Sequence, residues 1–193
     1  LKLAAKEEFE YAEVDELGTV VEKDYTPYHI DQVLALKLVN RDAIAQADLK
    51  VVVDAVNSVG GVVIPALLRA LGVKEIIELN CEPTGHFAHN PEPIPENLTQ
   101  IAAKMKESRA DLGIVVDPDV DRLALISENG EMFGEEYTLV AVADYVLKHT
   151  PGNTVSNLSS SRALKDVTEA YGQQYHAAAV GEVNVVAEMK RTH

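Results

Sequence analysis

Asp117, Asp119 and Asp121 fall on alternate residues of the stretch GIVVDPDVDRLALI (113–126), and Arg122 follows at once. On a straight strand such groups share one face, about 6.6 Å apart for each step of two. That span is too wide for one small ion. Pro118 favours leaving the strand ladder, and a curled backbone brings the three carboxylates to one point. Two unit charges 4 Å apart repel by about 1 kcal/mol in water and about 4 kcal/mol at an effective dielectric of 20. Uncompensated, three of them raise one another's pKa. A hard divalent cation removes the conflict. Mg²⁺ takes oxygen ligands at about 2.0–2.1 Å and keeps positions for water or phosphate. The bland alternative is a solvated acidic turn tied by Arg122.

Two known loop types compete for this spacing. With Asp117 as position 1 of an EF-hand, Asp119, Asp121 and Glu128 fall on positions 3, 5 and 12. But Arg122 stands where that loop needs Gly, and the flanks read as strands. GIVVDPD also resembles the haloacid-dehalogenase-like phosphatase motif, which would make Asp117 a nucleophile. There a Thr or Val usually stands two residues after the second Asp; here that position is Asp121. No downstream paired-acid motif supports the phosphatase reading. A non-catalytic module binding a divalent cation through DPDVDR is the third alternative.

The elements that must position these residues alternate in type. YTPYHIDQVLALKLV (25–39) predicts a helix over about 28–38, with Pro27 near the first turn. LKVVVDAV (49–56) is a β-branched run, as in a strand buried on both faces. IPALLRALG (64–72) predicts a helix ended by Gly72, and EIIEL (75–79) a second strand. Residues 80–97 carry four prolines and read as a long loop, a length uncommon without function or disorder. A helix over 98–110, strands over 112–116 and 122–126, a tight turn at 128–130 and a helix over 134–149 follow. After a break at HTPGN (149–153) the rhythm restarts: strand TVSNL, helix SRALKDVTEAYG, strand QYHAAAV and helix VNVVAEMK. The expected fold is α/β, a mixed, largely parallel sheet flanked by helices. One complete domain is expected over 26–148, preceded by an acidic linker over 1–25. The first half of a second, similar domain is expected over 151–193. The aspartates then stand at the end of a buried strand, where ligands of α/β folds sit.

Composition limits the function. The net charge of −14 argues against a nucleic-acid surface, which needs a basic patch, and against an anionic membrane. Apolar residues at 47% support a real core, and aromatics at 5% with no Trp make it aliphatic. Cys81 is the single cysteine, so no internal disulfide forms and a reducing, cytoplasmic setting is expected. No apolar run approaches the ~18 residues of a membrane span, and LKLAAKEEFE is too charged for a signal peptide. Leu1 in place of Met, and a helical pattern running into KRTH, read as cut ends of a longer protein.

DPDVDR after an apolar strand resembles the metal loop of the α-D-phosphohexomutases, the phosphoglucomutase, phosphomannomutase and phosphoglucosamine mutase family. The resemblance continues in VVVDAVNSVGG, GHFAHNPEPIPENL and NGEMFGEEYTLVAVADYVL, which resemble the second domain of that family and the hairpin and helix after its metal loop. LSSSRALKD and AVGEVNVVAEM resemble the first half of its third domain. It implies transfer of a phosphoryl group between the C1 and C6 hydroxyls of a hexose, through a hexose 1,6-bisphosphate. It implies a phosphoserine donor in a first domain, four domains around a cleft, and a Mg²⁺ bridging the aspartates to that serine. Carried over, Asp117, Asp119 and Asp121 are the Mg²⁺ ligands and Arg122 contacts the reacting phosphate. Gly181 and Glu182 match the third-domain loop that approaches the sugar, and Ser159 a position where some relatives place a phosphate-binding Lys.

The chain departs from that pattern in several places. The Thr-Ala-Ser-His-Asn-Pro loop of the nucleophile has no counterpart; FAHNP (87–91) offers Ala88 before His89 and reads as structural. Glu182 stands where many relatives carry a cation or His. The serines 159–161 also read as a helix N-cap. His86 and His89 lack a suitably spaced carboxylate or Cys for a metal site. The sugar-discriminating loop and the phosphate-binding fourth domain are not in the sequence. Mutase activity is therefore not expected of the 193 residues alone, and the hexose is left open among glucose, mannose and glucosamine phosphates. Cys81 reads as an inert thiol.

Overall fold

The computed structural model describes residues 1–192. Residues 1–25 are exposed throughout and carry only the short helix α1 (Lys2–Ala5) and a 3-10 turn at Val14–Glu16. Then follow α2 (Thr26–Leu34), α3 (Arg41–Gln46), β1 (Lys50–Asp54), α4 (Gly60–Leu71), β2 (Glu75–Leu79), α5 (Thr99–Ser108), β3 (Leu112–Val116), β4 (Leu123–Ser127) and α6 (Glu135–His149). The second rhythm gives β5 (Thr154–Asn157), α7 (Ala163–Ala170), β6 (Tyr175–Ala178) and α8 (Glu182–Thr192). Among the described residues no helix is long and apolar enough to cross a membrane.

The first sheet has the order β2-β1-β3-β4. β1 pairs parallel with β2 and β3, and β3 pairs antiparallel with β4, Val116 opposite Leu123. The sheet is thus mixed and largely parallel, as the alternation of types implies. β1 lies in the middle, and period-2 alternation splits its valines between two cores. Val52 packs with Leu98, Ile101, Met105, Val115 and Ile126 on the α5 side. Val51 and Val53 pack with Leu68 and Val73 on the side of α4. β5 and β6 form a second, parallel pair. α6 packs on α7, where Ser161 N–H donates to Glu136 Oε2 at 3.0 Å and Tyr171 O–H to Asp144 Oδ1 at 2.9 Å.

Three local expectations change. α4 begins at Gly60, four residues before the predicted start, and carries Pro65 inside it. Pro usually marks a first turn, but here two glycines let the earlier turn press against β3 and the chain after β2. A Cβ on Gly60 would lie 2.5 Å from Val116 Cγ2. α2 runs over Thr26–Leu34 and stops short of the predicted Leu38. α3 was not expected, although Asn40 caps it by accepting from Ala43 N–H at 3.0 Å.

Candidate metal centre

β1, β2 and β3 run parallel, so their C-terminal ends meet on one edge, where the chain turns away from the sheet three times. β3 ends at Val116, and DPDVDR forms a turn in which Val120 N–H donates to the Asp117 carbonyl at 3.2 Å. Val120 takes φ +64°, left-handed backbone that is an outlier for a β-branched residue. Ser58, just before α4, donates its hydroxyl to the Pro118 carbonyl at 2.8 Å. The turn is therefore tied to the next loop of the sheet edge.

The curl does what the spacing requires of it. One carboxylate oxygen from each of Asp117, Asp119 and Asp121 lies within 4.8 Å of the others. Neighbouring oxygens around one octahedral Mg²⁺ are about 3.0 Å apart, √2 times the bond length. Closing on Mg²⁺ takes shifts of up to about 2 Å, and Asp119 and Asp121 are exposed and free to make them. Three hard oxygen donors with open sides fit Mg²⁺ or Ca²⁺ and not a soft metal. The EF-hand arrangement does not form. Strands flank the loop, and Glu128 follows the far end of β4.

Asp117 is the buried member, 7% exposed. Its Oδ1 accepts from Arg122 N–H at 3.1 Å, and its Oδ2 lies 3.9 Å from Arg122 Nε. The Arg122 guanidinium reaches on to Glu92, Nη1 to Oε1 3.4 Å. Asp119, then Asp117, push the Asp121 carboxyl above its ordinary value of 3.8. A carboxyl whose pKa rises on folding subtracts stability at neutral pH, and acidification through the raised value relieves that loss. Asp121→Asn is accordingly expected to raise the melting temperature of the metal-free chain. The same change is expected to weaken divalent-cation binding at least about tenfold, since even outer partners of a metal site are worth 10–100-fold. Thermal melts with and without MgCl₂ check both signs; a lower melting temperature without metal would refute the crowding.

Sequence reasoning passed over Asp54. It closes β1 and is fully buried. His89 Nε2 meets its Oδ2 at 3.1 Å, Asn80 donates to its Oδ1 at 3.2 Å, and Val56 N–H donates to the same oxygen at 3.1 Å. His89 is thus an anchor for the long loop, and Asp54 is the carboxylate, 35 residues away, that spacing could not supply. The signal was visible: a carboxylate at the end of an apolar run is almost never buried unpaired. Cys81 is half-buried, its thiol donating toward the Leu79 and Val53 carbonyls. Burial, then Glu78 and Asp54, push its pKa to about 11, which accords with an inert thiol.

The residues expected to face a sugar stand on the second sheet. Gly181, at φ +117°, stands between β6 and α8, and Glu182 begins α8. Ser159 lies in the turn after β5, its N–H and hydroxyl donating to Asn157 Oδ1 at 2.9 and 2.7 Å. At the start of α7 only one of the three serines serves the helix. Its N-cap position is Arg162, and Asn157 at the strand end collects Ser159 and Ser160. Ser161 Oγ accepts from Ala163 N–H at 3.3 Å. No hydrogen bond or ion pair joins Ser159, Gly181 or Glu182 to the aspartate loop among the described residues.

Two family models match, described as phosphoglucomutase/phosphomannomutase, alpha/beta/alpha domain II over residues 27–130, and domain III over residues 134–193. The chain belongs to the phosphoglucomutase/phosphomannomutase family. It is 34% identical over 186 residues to a protein of Thermococcus kodakarensis named phosphoglucomutase/phosphomannomutase, which covers 95% of this chain and 40% of that one. To a phosphomannomutase/phosphoglucomutase of Pseudomonas aeruginosa it is 34% identical over 180 residues, 91% of this chain and 37% of that one. A crystal structure of a phosphoglucomutase/phosphomannomutase family protein from Burkholderia thailandensis superposes with a TM-score of 0.78 at 28% identity. That match covers 99% of this chain and 40% of the other. This family member thus spans about two fifths of the length of the relatives it matches.

Proposed function

We propose that the chain forms the cation-holding and sugar-facing part of a phosphohexomutase that interconverts hexose 1-phosphate and hexose 6-phosphate. The observation that carries this reading is the convergence of Asp117, Asp119 and Asp121 within 4.8 Å, beside Arg122. In this reading residues 1–25 are a link, 26–148 the cation-holding domain and 151–193 part of the sugar-facing one. Asp117, Asp119 and Asp121 hold Mg²⁺, which when bound supplies positive charge against the phosphoryl oxygens. Arg122 adds a second cation, fixed at its backbone by Asp117. Phosphoryl transfer depends on such positioning and charge neutralisation more than on covalent help. Gly181, Glu182 and Ser159 approach the hexose, and a hexose 1,6-bisphosphate is the intermediate and activator. The single Cys81 accords with a cytoplasmic setting.

The phosphorylated serine is supplied from outside these residues. FAHNP cannot serve, because it lacks the serine and its His89 is engaged with Asp54. The 193-residue chain alone is expected to show no mutase turnover above background in a coupled assay. Robust turnover would overturn the assignment of the nucleophile.

The decisive test places this chain in the frame of the Thermococcus kodakarensis relative, in exchange for its matching segment. ³¹P NMR then follows glucose-, mannose- and glucosamine-1-phosphates with Mg²⁺ and a trace of hexose bisphosphate, against an Asp119→Asn control. Conversion to a 6-phosphate, lost in the control, supports the mutase and names the sugar. Release of free phosphate, with a hydroxylamine-labile phosphoenzyme at Asp117, would replace it with a phosphatase. Cation binding without any reaction would leave a plain divalent-cation module.

A further inference from the structure

Arg122 stands beside open space. A cavity of about 400 Å³ is lined by Glu92, Pro93, Ile94, Arg122, Leu123, Ala124 and Met132. The Arg122 side chain is more than half exposed and has room to swing away from the aspartates. Glu92 is the group that meets it from across the cavity, at 3.4 Å. The Glu92 backbone is held from both sides. Its N–H donates to Asn90 Oδ1 at 3.2 Å, and its carbonyl accepts from Asn97 Nδ2 at 2.8 Å and from Ile94 N–H at 2.9 Å. His89 Nδ1 meets the Asn90 carbonyl at 2.8 Å while Nε2 meets buried Asp54. Polar contacts thus run from the middle strand of the sheet, through His89 and Asn90, to the backbone of Glu92.

We propose that Glu92 is a positioning residue for Arg122, and that the loop 80–97 is the brace that delivers it. The pair adds little stability, since both partners are exposed and water competes for each. Its effect is orientation. With Asp117 fixing the Arg122 backbone and Glu92 the far end of the side chain, the guanidinium is held along the rim of the aspartate loop. It turns to an arriving phosphate by exchanging one carboxylate for another anion. The inference rests on the reading of Arg122 as the cation that faces phosphate.

The test is NMR on the 193-residue chain, reading the Nε–Hε group of Arg122. In Glu92→Gln its order parameter is expected to fall into the mobile range, below about 0.6, while amide shifts over 113–117 stay in place. His89→Ala, which cuts the brace and leaves Glu92 intact, is expected to loosen Arg122 in the same way. Glu92→Asp is expected to restore part of the order. A purely structural Glu92 would move the amides and the melting temperature and leave the guanidinium unchanged. Equal Arg122 mobility in the parent chain and Glu92→Gln would overturn the proposal. A titration with inorganic phosphate in MgCl₂ separates the two readings. Glu92→Gln is expected to bind about five- to sevenfold tighter, the Coulomb effect in water of removing one charge roughly 7 Å from a phosphate that carries about 1.5–2 charges. A braced Arg122 that never responds to phosphate would support the brace and sink the phosphate-facing reading.

Discussion

Asp117→Ala is expected to abolish divalent-cation binding, a loss of more than about 100-fold, larger than the range for outer-shell partners. The three carboxylates are not equivalent. Asp119 and Asp121 are exposed, so water replaces their contacts and each can re-aim toward a cation. Asp117 is buried, at the end of a strand paired on both sides, and its position cannot be taken by a neighbour. The same side chain accepts from Arg122 N–H, so its removal frees the second cation of the site as well as the first. Asp117→Asn separates these effects. The amide oxygen still accepts from Arg122 N–H, but the charge is gone, so cation binding falls while the turn keeps its shape. Isothermal titration with MgCl₂ and amide spectra of residues 117–122 measure the two parts. Unchanged affinity in Asp117→Ala would show that no cation binds in this loop.

Gly61→Ala is expected to destabilise the chain by at least about 3 kcal/mol, the upper end of overpacking costs. The sign is not obvious, because Ala is the better helix former by about 1 kcal/mol. Geometry decides it. A Cβ at residue 61 would run into the Cys81 carbonyl oxygen, with the Cys81 carbonyl carbon and Cα at 2.6 and 2.7 Å. These are backbone atoms of the chain leaving β2 and cannot rotate aside. The melting temperature is expected to fall by roughly 6–12 °C, at 2–4 °C per kcal/mol for a domain of this size. Cation affinity should fall with it, because a displaced α4 carries Ser58 away from the Pro118 carbonyl. Gly152→Ala is the control. Nothing lies within 4 Å of its Cβ and its φ is not positive, so its melting temperature should be nearly unchanged. A neutral Gly61→Ala would mean that α4 and the Cys81 segment are not in contact in solution.

Read from the sequence alone, KVVVD as a strand buried on both faces and LGIVV as a further strand needed only apolar runs of strand length. GIVVDPDVDR needed only period 2, a proline and Coulomb's law to demand a curled loop, and the loop curls. α3 was legible too, since NRDA carries an N-cap Asn and a first-turn Asp, but its six residues fall below the length at which periodicity speaks. What tertiary structure decided is set by contacts between segments far apart in sequence. Gly60 and Gly61 start α4 early because of β3 and the chain after β2. Asp54 is satisfied by His89, and Arg122 by Glu92, across 35 and 30 residues. Asn157 takes Ser159 and Ser160, which local rules give to a helix cap, and leaves only Ser161 to the helix. Local chemistry fixes the type of each element, because backbone sterics and side-chain periodicity act within a few residues. The partner of a buried or aimed polar group depends on which loops the sheet order brings to one edge, and no local rule contains that order.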